Sequence, residues 1–144
     1  MAWVPFDNHK LRQYGPAANT IDFSASGDTL KVMLATATYV PDQTNHIFKS
    51  SVTNEVTGTN YTARGFTLSA KTLSVASHVL TFACGTITWS QNAAGFTNAR
   101  IAIFYKDTGA DGTSALIAFY DFGADKGNVA GDLVLTDPTG FFTV

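Results

Sequence analysis

Two apolar stretches decide the fold, RIAIFY at residues 100–105 and ALIAFY at residues 115–120. Each stretch is apolar at nearly every position, so neither has a polar face to turn towards water. Strands of this kind lie at the centre of a sheet, where both faces are covered. The run KDTGADGT at residues 106–113 joins them and is rich in turn formers. The three segments together predict a hairpin of two central antiparallel strands.

Shorter strands are predicted on the N-terminal side of this hairpin. Residues 29–38 alternate, with Leu30, Val32 and Leu34 on one face. The same period of two recurs over short runs between residues 66 and 89, separated by polar or glycine-bearing turns. About eight short strands at close spacing indicate an all-β fold, a single antiparallel, jelly-roll-like β-sandwich. We expect seven residues to line its core: Leu30, Val32, Leu34, Ile101, Ile103, Ile117 and Phe119.

The remaining segments complete the predicted organisation. At most one short helix is expected, near residues 42–56, where Ile47, Phe48, Val52 and Val56 could form an apolar stripe. Two last strands are predicted at residues 132–136 and 140–144, joined by the turn sequence DPTG. We expect an N-terminal arm at residues 1–20 and one β-sandwich domain at residues 21–144.

The composition limits the classes of function. Charged residues are 14% of the chain, against roughly 25% in soluble domains, which favours a surface that meets other proteins. The basic residues are spread singly, so direct binding of nucleic acid is not expected. No stretch is long and apolar enough to span a membrane, and no signal peptide is recognisable. We therefore expect synthesis in the cytoplasm.

Residues capable of catalysis or metal binding are few and scattered. The three histidines, His9, His46 and His78, have no ligand spacing. Asp42 and His46 are four residues apart in the predicted helix, but a helix cap followed by a solvated histidine explains that spacing better than a metal. We expect no catalytic residue, no metal and no cofactor.

Two acidic pairs carry an alternative interpretation. Asp107 and Asp111 lie in a run that resembles a calcium loop, but Gly109 stands where the second carboxylate belongs. A hairpin loop is the better interpretation. Asp121 and Asp125 could act as paired carboxylates in glycoside hydrolysis, although their surroundings are ordinary turn composition.

Aromatic residues leave carbohydrate binding open as a further alternative. Trp3 and Trp89 could form a platform for a sugar ring. Trp89 alternates with Ile87, which favours a position in the core. Cys84 cannot form an internal disulfide, and its apolar context predicts an inert, buried thiol.

Four segments, in order and at similar spacing, resemble a family of small structural proteins encoded by tailed bacteriophages. They are DTLKVMLATATYVPD at residues 28–42, TNEVTGTNYTARG at 53–65, IAIFYKD at 101–107 and LIAFYDFG at 116–123. In that family the turn usually reads GTGYTAGG, whereas Asn60 and Arg64 replace two of its glycines here. Asn60 tolerates a positive φ, whereas an arginine at position 64 restricts the backbone conformations that the loop can adopt.

The resemblance implies a component of the virion, and the functional hypotheses follow from it. The first is a capsid decoration (cement) protein that binds and stabilises the assembled shell. The partners would then be the major capsid protein or other virion proteins, and we expect a homo-oligomer, a trimer. The second hypothesis is a tail, neck or receptor-binding fibre component. A carbohydrate-binding module is the third.

The N-terminal arm supplies the candidate contact residues. Trp3, Val4, Pro5 and Phe6 place four apolar side chains in a row ahead of the first long strand. Pro5 favours an extended path for Val4. One interpretation has the arm fold back on its own sheet. The other, which we favour from the sequence, has it dock on a neighbouring subunit, with Trp3 as an anchor.

Overall fold

The fold is given by a computed structural model, which describes residues 3–15 and 20–135 with the exception of the Tyr14 side chain. Nine strands and one α-helix occur in these ranges. They are β1 Val4–Pro5, α1 Asp7–Tyr14, β2 Leu30–Ala35, β3 Phe66–Thr67, β4 Thr72–Ala76, β5 Val79–Ala83, β6 Ile87–Trp89, β7 Ala99–Lys106, β8 Leu116–Lys126 and β9 Leu133–Leu135. The chain is therefore mostly antiparallel β-structure, as predicted. The predicted turn at 137–140 and strand at 140–144 lie outside the described residues.

The strands form three sheets, none of which closes on itself. The main sheet has five strands in the order β1-β8-β7-β2-β3, and β4-β5 and β6-β9 form two separate pairs. All the pairings are antiparallel. The predicted central hairpin is confirmed as β7 and β8, which lie inside the main sheet and pair with each other.

The apolar parts of β7 and β8 are covered on both faces of the main sheet, which explains why residues 100–105 and 115–120 lack a polar side. On one face, Leu30, Val32 and Leu34 pack in a cluster with Phe82 of β5 and Trp89 of β6. The two small sheets thus contribute side chains to the core on this face. Trp89 is buried in that core, as its alternation with Ile87 predicted.

The second face has a core of its own, which corrects the predicted single core. Ile101 and Ile103 point to this face and pack with Met33, Phe6 and a partly buried Phe119. Strands β2 and β7 alternate, so successive residues serve opposite faces. The seven predicted core residues are therefore divided between two clusters.

The helix lies elsewhere than predicted. Residues 42–56 hold only a short 3-10 turn, Lys49–Ser51, because this segment runs extended beside β8. Phe48 bridges Ala115, and Ile47 O accepts a hydrogen bond from Leu116 N at 2.9 Å. Its apolar side chains thus pack from an extended chain and not along a helical stripe.

The α-helix is α1, inside the predicted arm. Asp7 stands in its first turn and Arg12 in its last, where these charges suit the helix dipole. Side chains four apart are paired, Asn8 with Arg12 at 2.8 Å and His9 with Gln13 at 3.2 Å. In the described ranges no helix has the length and apolar character needed to cross a bilayer.

Candidate docking surface

The predicted contact residues of the arm lie on the chain's own sheet. Strand β1 pairs with β8 so that Val4 faces Phe119 and Pro5 faces Ala118. Phe6 is completely buried. This is the intramolecular arrangement, and docking of the arm on a neighbouring subunit stays a prediction.

Trp3 also packs within the chain. Its ring lies 5.6 Å from the ring of Tyr120 and 6.3 Å from that of Phe104, measured between centroids. The residue is only partly exposed. Of the four candidate contact residues, Trp3, Val4 and Pro5 keep some exposed surface at the edge of the main sheet.

A different element presents uncovered apolar surface. In the hairpin of β4 and β5, every residue from 72 to 79 is exposed. Six large apolar side chains are exposed among the described residues, and three of them lie here: Leu73 at 43%, Val75 at 70% and Val79 at 37%. We call residues 72–83 the projecting hairpin.

The projecting hairpin has one apolar face. Leu73 pairs with Phe82 and Val75 pairs with Leu80, and directly paired residues lie on the same face of a ladder. Phe82 is fully buried in the main core, whereas Val75 at the outer end is mostly in water. The apolar face therefore begins inside the core and continues into water, and no described residue of the chain covers its outer end.

The tip is a two-residue turn of Ser77 and His78, which have φ values of +50° and +66°. Positive φ at both central residues defines a type I′ turn, whose twist matches that of the flanking strands. His78 is thus a turn residue on an exposed tip. The turn fixes the register that places Leu73 and Val75 on one face.

The sequence also distinguishes this surface by its lack of charged residues. No Asp, Glu, Lys or Arg occurs from residue 72 to residue 99. An alternating strand that stays uncharged while it is exposed lacks the charges that normally protect a sheet edge.

A network of charged side chains lies elsewhere, between the 58–65 turn and the loop after β7. Arg64 binds Asp107 at 2.5 Å and also pairs with Asp111. Lys31 binds Asp107 at 2.9 Å, and Lys49 binds Asp111 at 3.3 Å. Asp107 and Asp111 are thus held by the chain's own cations, which explains the composition of the loop without a calcium ion.

Glu55 completes this network from the other side. Its Oε1 accepts hydrogen bonds from Tyr61 Oη at 2.8 Å and from Arg64 N at 2.6 Å. Three carboxylates therefore face three cations. Because the charges balance, we interpret the network as structural.

Burial and ion pairing together determine the pKa values of the charged groups in this network. Burial by itself disfavours the charged form of Asp107, but hydrogen bonds from Arg64 and Lys31 outweigh it and hold the pKa of Asp107 well below its usual range. The bond to Asp107 likewise raises the pKa of Arg64. Both groups stay charged throughout the physiological pH range.

In the 58–65 turn, both residues that stand where the resembled phage family has glycine have a positive φ. Asn60 has a φ of +65° and Arg64 a φ of +73°, both in the left-handed region that favours glycine. Gly65 follows with a φ of +82°. Arg64 occupies an unfavourable conformation, and its ion pairs hold it there.

The remaining candidate residues are engaged in local structure. Asp42 Oδ1 accepts hydrogen bonds from the backbone of Thr44 and Asn45. Asp121 and Asp125 both bind Arg100, at 2.9 and 3.4 Å. Among the described residues, no group of three His, Cys, Asp or Glu side chains converges as a metal site.

Cys84 follows β5 and is partly buried against the main core. Burial raises the pKa of its thiol to about 11. The neutral thiol is a poor nucleophile, so the surroundings of Cys84 favour an inert side chain.

No protein-family model, curated protein or solved structure matches the chain significantly.

Proposed function

We propose that this protein is a structural component of a tailed-bacteriophage virion, a decoration (cement) protein that binds the assembled capsid shell. The likeness of residues 28–123 to small phage structural proteins supports the assignment to a bacteriophage virion. The uncovered apolar face of the projecting hairpin supports a role in protein contact.

The hairpin is the observation that carries this proposal. A two-stranded ribbon is marginally stable by itself, and an apolar face in water lowers solubility. Leu73 and Val75 extend this face beyond the chain's own core. Such a face is completed when another protein surface covers it, as happens in a packed shell.

The proposed mechanism is stabilisation by mass action. A protein that binds the closed shell and not its separated subunits shifts the equilibrium towards the shell. We propose a homo-oligomer, a trimer, placed at a local symmetry axis of the capsid. For the finer architecture, we propose that β4-β5 and β6-β9 together act as the second layer of a jelly-roll-like sandwich.

Purified protein added to shells that lack it tests the function. We expect saturable binding at hundreds of copies per particle and a higher melting temperature of the shell. Val75→Lys should bind less tightly than wild type. The matched control is Val40→Lys, because Val40 is 75% exposed outside the hairpin, and this variant should bind normally.

Copy number separates the proposal from its alternatives. A handful of copies per particle, located at the tail or neck, would replace the shell assignment with a tail component. Absence of any binding to particles, together with binding to a glycan, would overturn the virion proposal. Burial of Trp89 removes one of the two tryptophans from a sugar platform, so no observation favours that outcome.

A further inference from the structure

We propose that the occupant of the projecting hairpin is a second copy of this chain, bound by antiparallel pairing of β4 with β4 across a two-fold axis. This inference rests on the proposed function, because binding to a capsid would bring many copies of the chain close together. The hairpin would then join neighbouring copies on the particle.

The outer edge of β4 is open. In the described ranges β4 pairs with β5 alone, and all five of its residues are exposed, whereas β5 is partly buried. Natural edge strands are usually protected by charge, proline or a bulge. β4 has neither a charged residue nor a proline, and its pairing with β5 runs without a register shift.

The turn determines which backbone groups face this edge. Ala76 and Val79 close a type I′ turn and form a hydrogen-bonded pair, and such pairs alternate along an antiparallel ladder. Ser74 therefore directs its N–H and C=O to β5. Leu73 and Val75 direct theirs outward, away from β5, where no described strand pairs with them.

This geometry suits a second copy in one register. Antiparallel pairing centred on Ser74 sets Leu73 opposite Val75 of the other copy, with both sets of outward N–H and C=O groups satisfied. The side chains of this pair then lie on one face, so the apolar faces of the two hairpins become continuous. Ser74 meets Ser74 of the other copy as a non-hydrogen-bonded pair, whose Cα atoms lie about 4.5 Å apart.

Charge favours a second copy as the occupant. Each chain has a net charge of −2, but the edge lies in the segment without Asp, Glu, Lys or Arg. Two copies therefore meet there without opposing ionic groups. A single strand pair buries little surface, so we expect a weak contact in solution, strengthened where many copies sit on one shell.

The first test is the mass of the shell-free protein by sedimentation velocity over a range of concentrations. Wild type should associate with rising concentration to twice the mass of Val75→Lys. The variant should not pair, because its lysine would place a positive charge on each of the two facing strands. Val40→Lys should associate like wild type. A mass that does not change with concentration, equal in wild type and Val75→Lys, would overturn the proposal.

A cysteine at position 74 tests the register. In a Cys84→Ala background, Ser74→Cys should form a disulfide-linked dimer under mild oxidation, because the two Cα atoms fall within disulfide range. Val40→Cys in the same background should stay unlinked. Equal disulfide formation by both variants, or none at position 74, would contradict the proposed β4–β4 register.

The shell assay separates this proposal from the proposed function. If wild type does not self-associate but binds shells, and Val75→Lys does not bind shells, the occupant is the capsid protein. The function then stands and the second-copy proposal falls. If association and the 74–74 disulfide are found but no particle binds the protein, the pairing stands and the proposed function falls. Circular dichroism of each variant checks that it is folded.

Discussion

Arg64 combines an unfavourable backbone conformation with stabilising side-chain contacts. Its φ of +73° costs a side-chain-bearing residue about 1–2 kcal/mol relative to ordinary backbone. The ion pairs with Asp107 and Asp111 offset this cost. Two substitutions at position 64 separate the cost of the positive φ from the stabilisation by the ion pairs.

We expect Arg64→Ala to lower the free energy of unfolding, because it removes the ion pairs and keeps the unfavourable φ. Arg64→Gly also removes the pairs but relieves the conformation, so it should be about 1 kcal/mol more stable than Arg64→Ala. Urea denaturation measures both. Ala63 is the matched control, since its φ is not positive and Ala63→Gly should not stabilise. Equal stability of the two Arg64 variants would contradict the argument.

His9 is predicted to make stability depend on pH. Burial, with a smaller effect of Arg12, lowers the pKa of His9 from 6.5 to about 4. The unfolded chain then binds a proton at a higher pH than the folded chain does. The contribution of neutral His9 to the free energy of unfolding is therefore fully present above pH 6.5. It falls by about 3 kcal/mol as the pH decreases towards 4.

His9→Gln should flatten this dependence, because glutamine does not titrate. The measurement is the free energy of unfolding of both proteins at several pH values between 7 and 4. We expect wild type to lose more stability over this interval than His9→Gln. Parallel curves for the two proteins would show that His9 does not control the effect.

Among the elements, the arm makes the clearest prediction. Phe6 is fully buried beside Phe119, so Phe6→Ala should destabilise the isolated protein by about 3–5 kcal/mol. Leu11→Ala is the matched control, since Leu11 is 71% exposed on α1 and its loss should change stability by less than about 0.5 kcal/mol.

Removal of residues 1–7 extends this test to the whole strand. We expect a lower melting temperature of the free protein, because β8 loses its edge partner and Phe6 leaves the core. An unchanged melting temperature combined with loss of particle binding would instead assign the arm to an interface, as the sequence alone suggested.

The turn of the projecting hairpin is predicted to be improvable. Ser77 and His78 both adopt left-handed conformations, for which Asn-Gly is the preferred pair. The double substitution Ser77→Asn, His78→Gly should stabilise the hairpin by about 1 kcal/mol. Slower amide exchange in β4 and β5 measures it, and faster exchange would contradict the turn assignment.

The strands were predictable from sequence to different degrees. The hairpin of β7 and β8 was predicted because burial on both faces leaves a continuous apolar run. The helix was misplaced because α1 is mostly polar and has only a weak apolar stripe. Its usable signals were Asp7 in the first turn, Arg12 in the last and the Gly15-Pro16 stop.

At the scale of the whole molecule, periodicity could predict alternation but not the number of cores. Ile101 and Ile103 were grouped with Leu30 because all three are apolar strand residues, yet they serve opposite faces of the main sheet. The docking surface was not found either. Its decisive property is the lack of a covering partner, which depends on where the other strands lie.

Pairing between copies predicts that thermal stability depends on protein concentration. A species that associates only when folded melts at a higher temperature as its concentration rises. We expect a larger rise in wild type and in Val40→Lys than in Val75→Lys, which keeps only the contacts of the proposed trimer. Scanning calorimetry over a hundredfold range of concentration measures it, and a rise of equal size in all three proteins would place the association at another surface.

The charge network also has an evolutionary consequence. An arginine in a left-handed turn is tolerated here while Asp107 and Asp111 hold its side chain, so we expect selection to act on the three positions together. A lineage with glycine at position 64 would have one reason fewer to keep both acids, and we expect Asp111, the more exposed of the two, to vary first. Sequence variation at positions 64 and 111 should therefore be correlated, although the two lie on different loops.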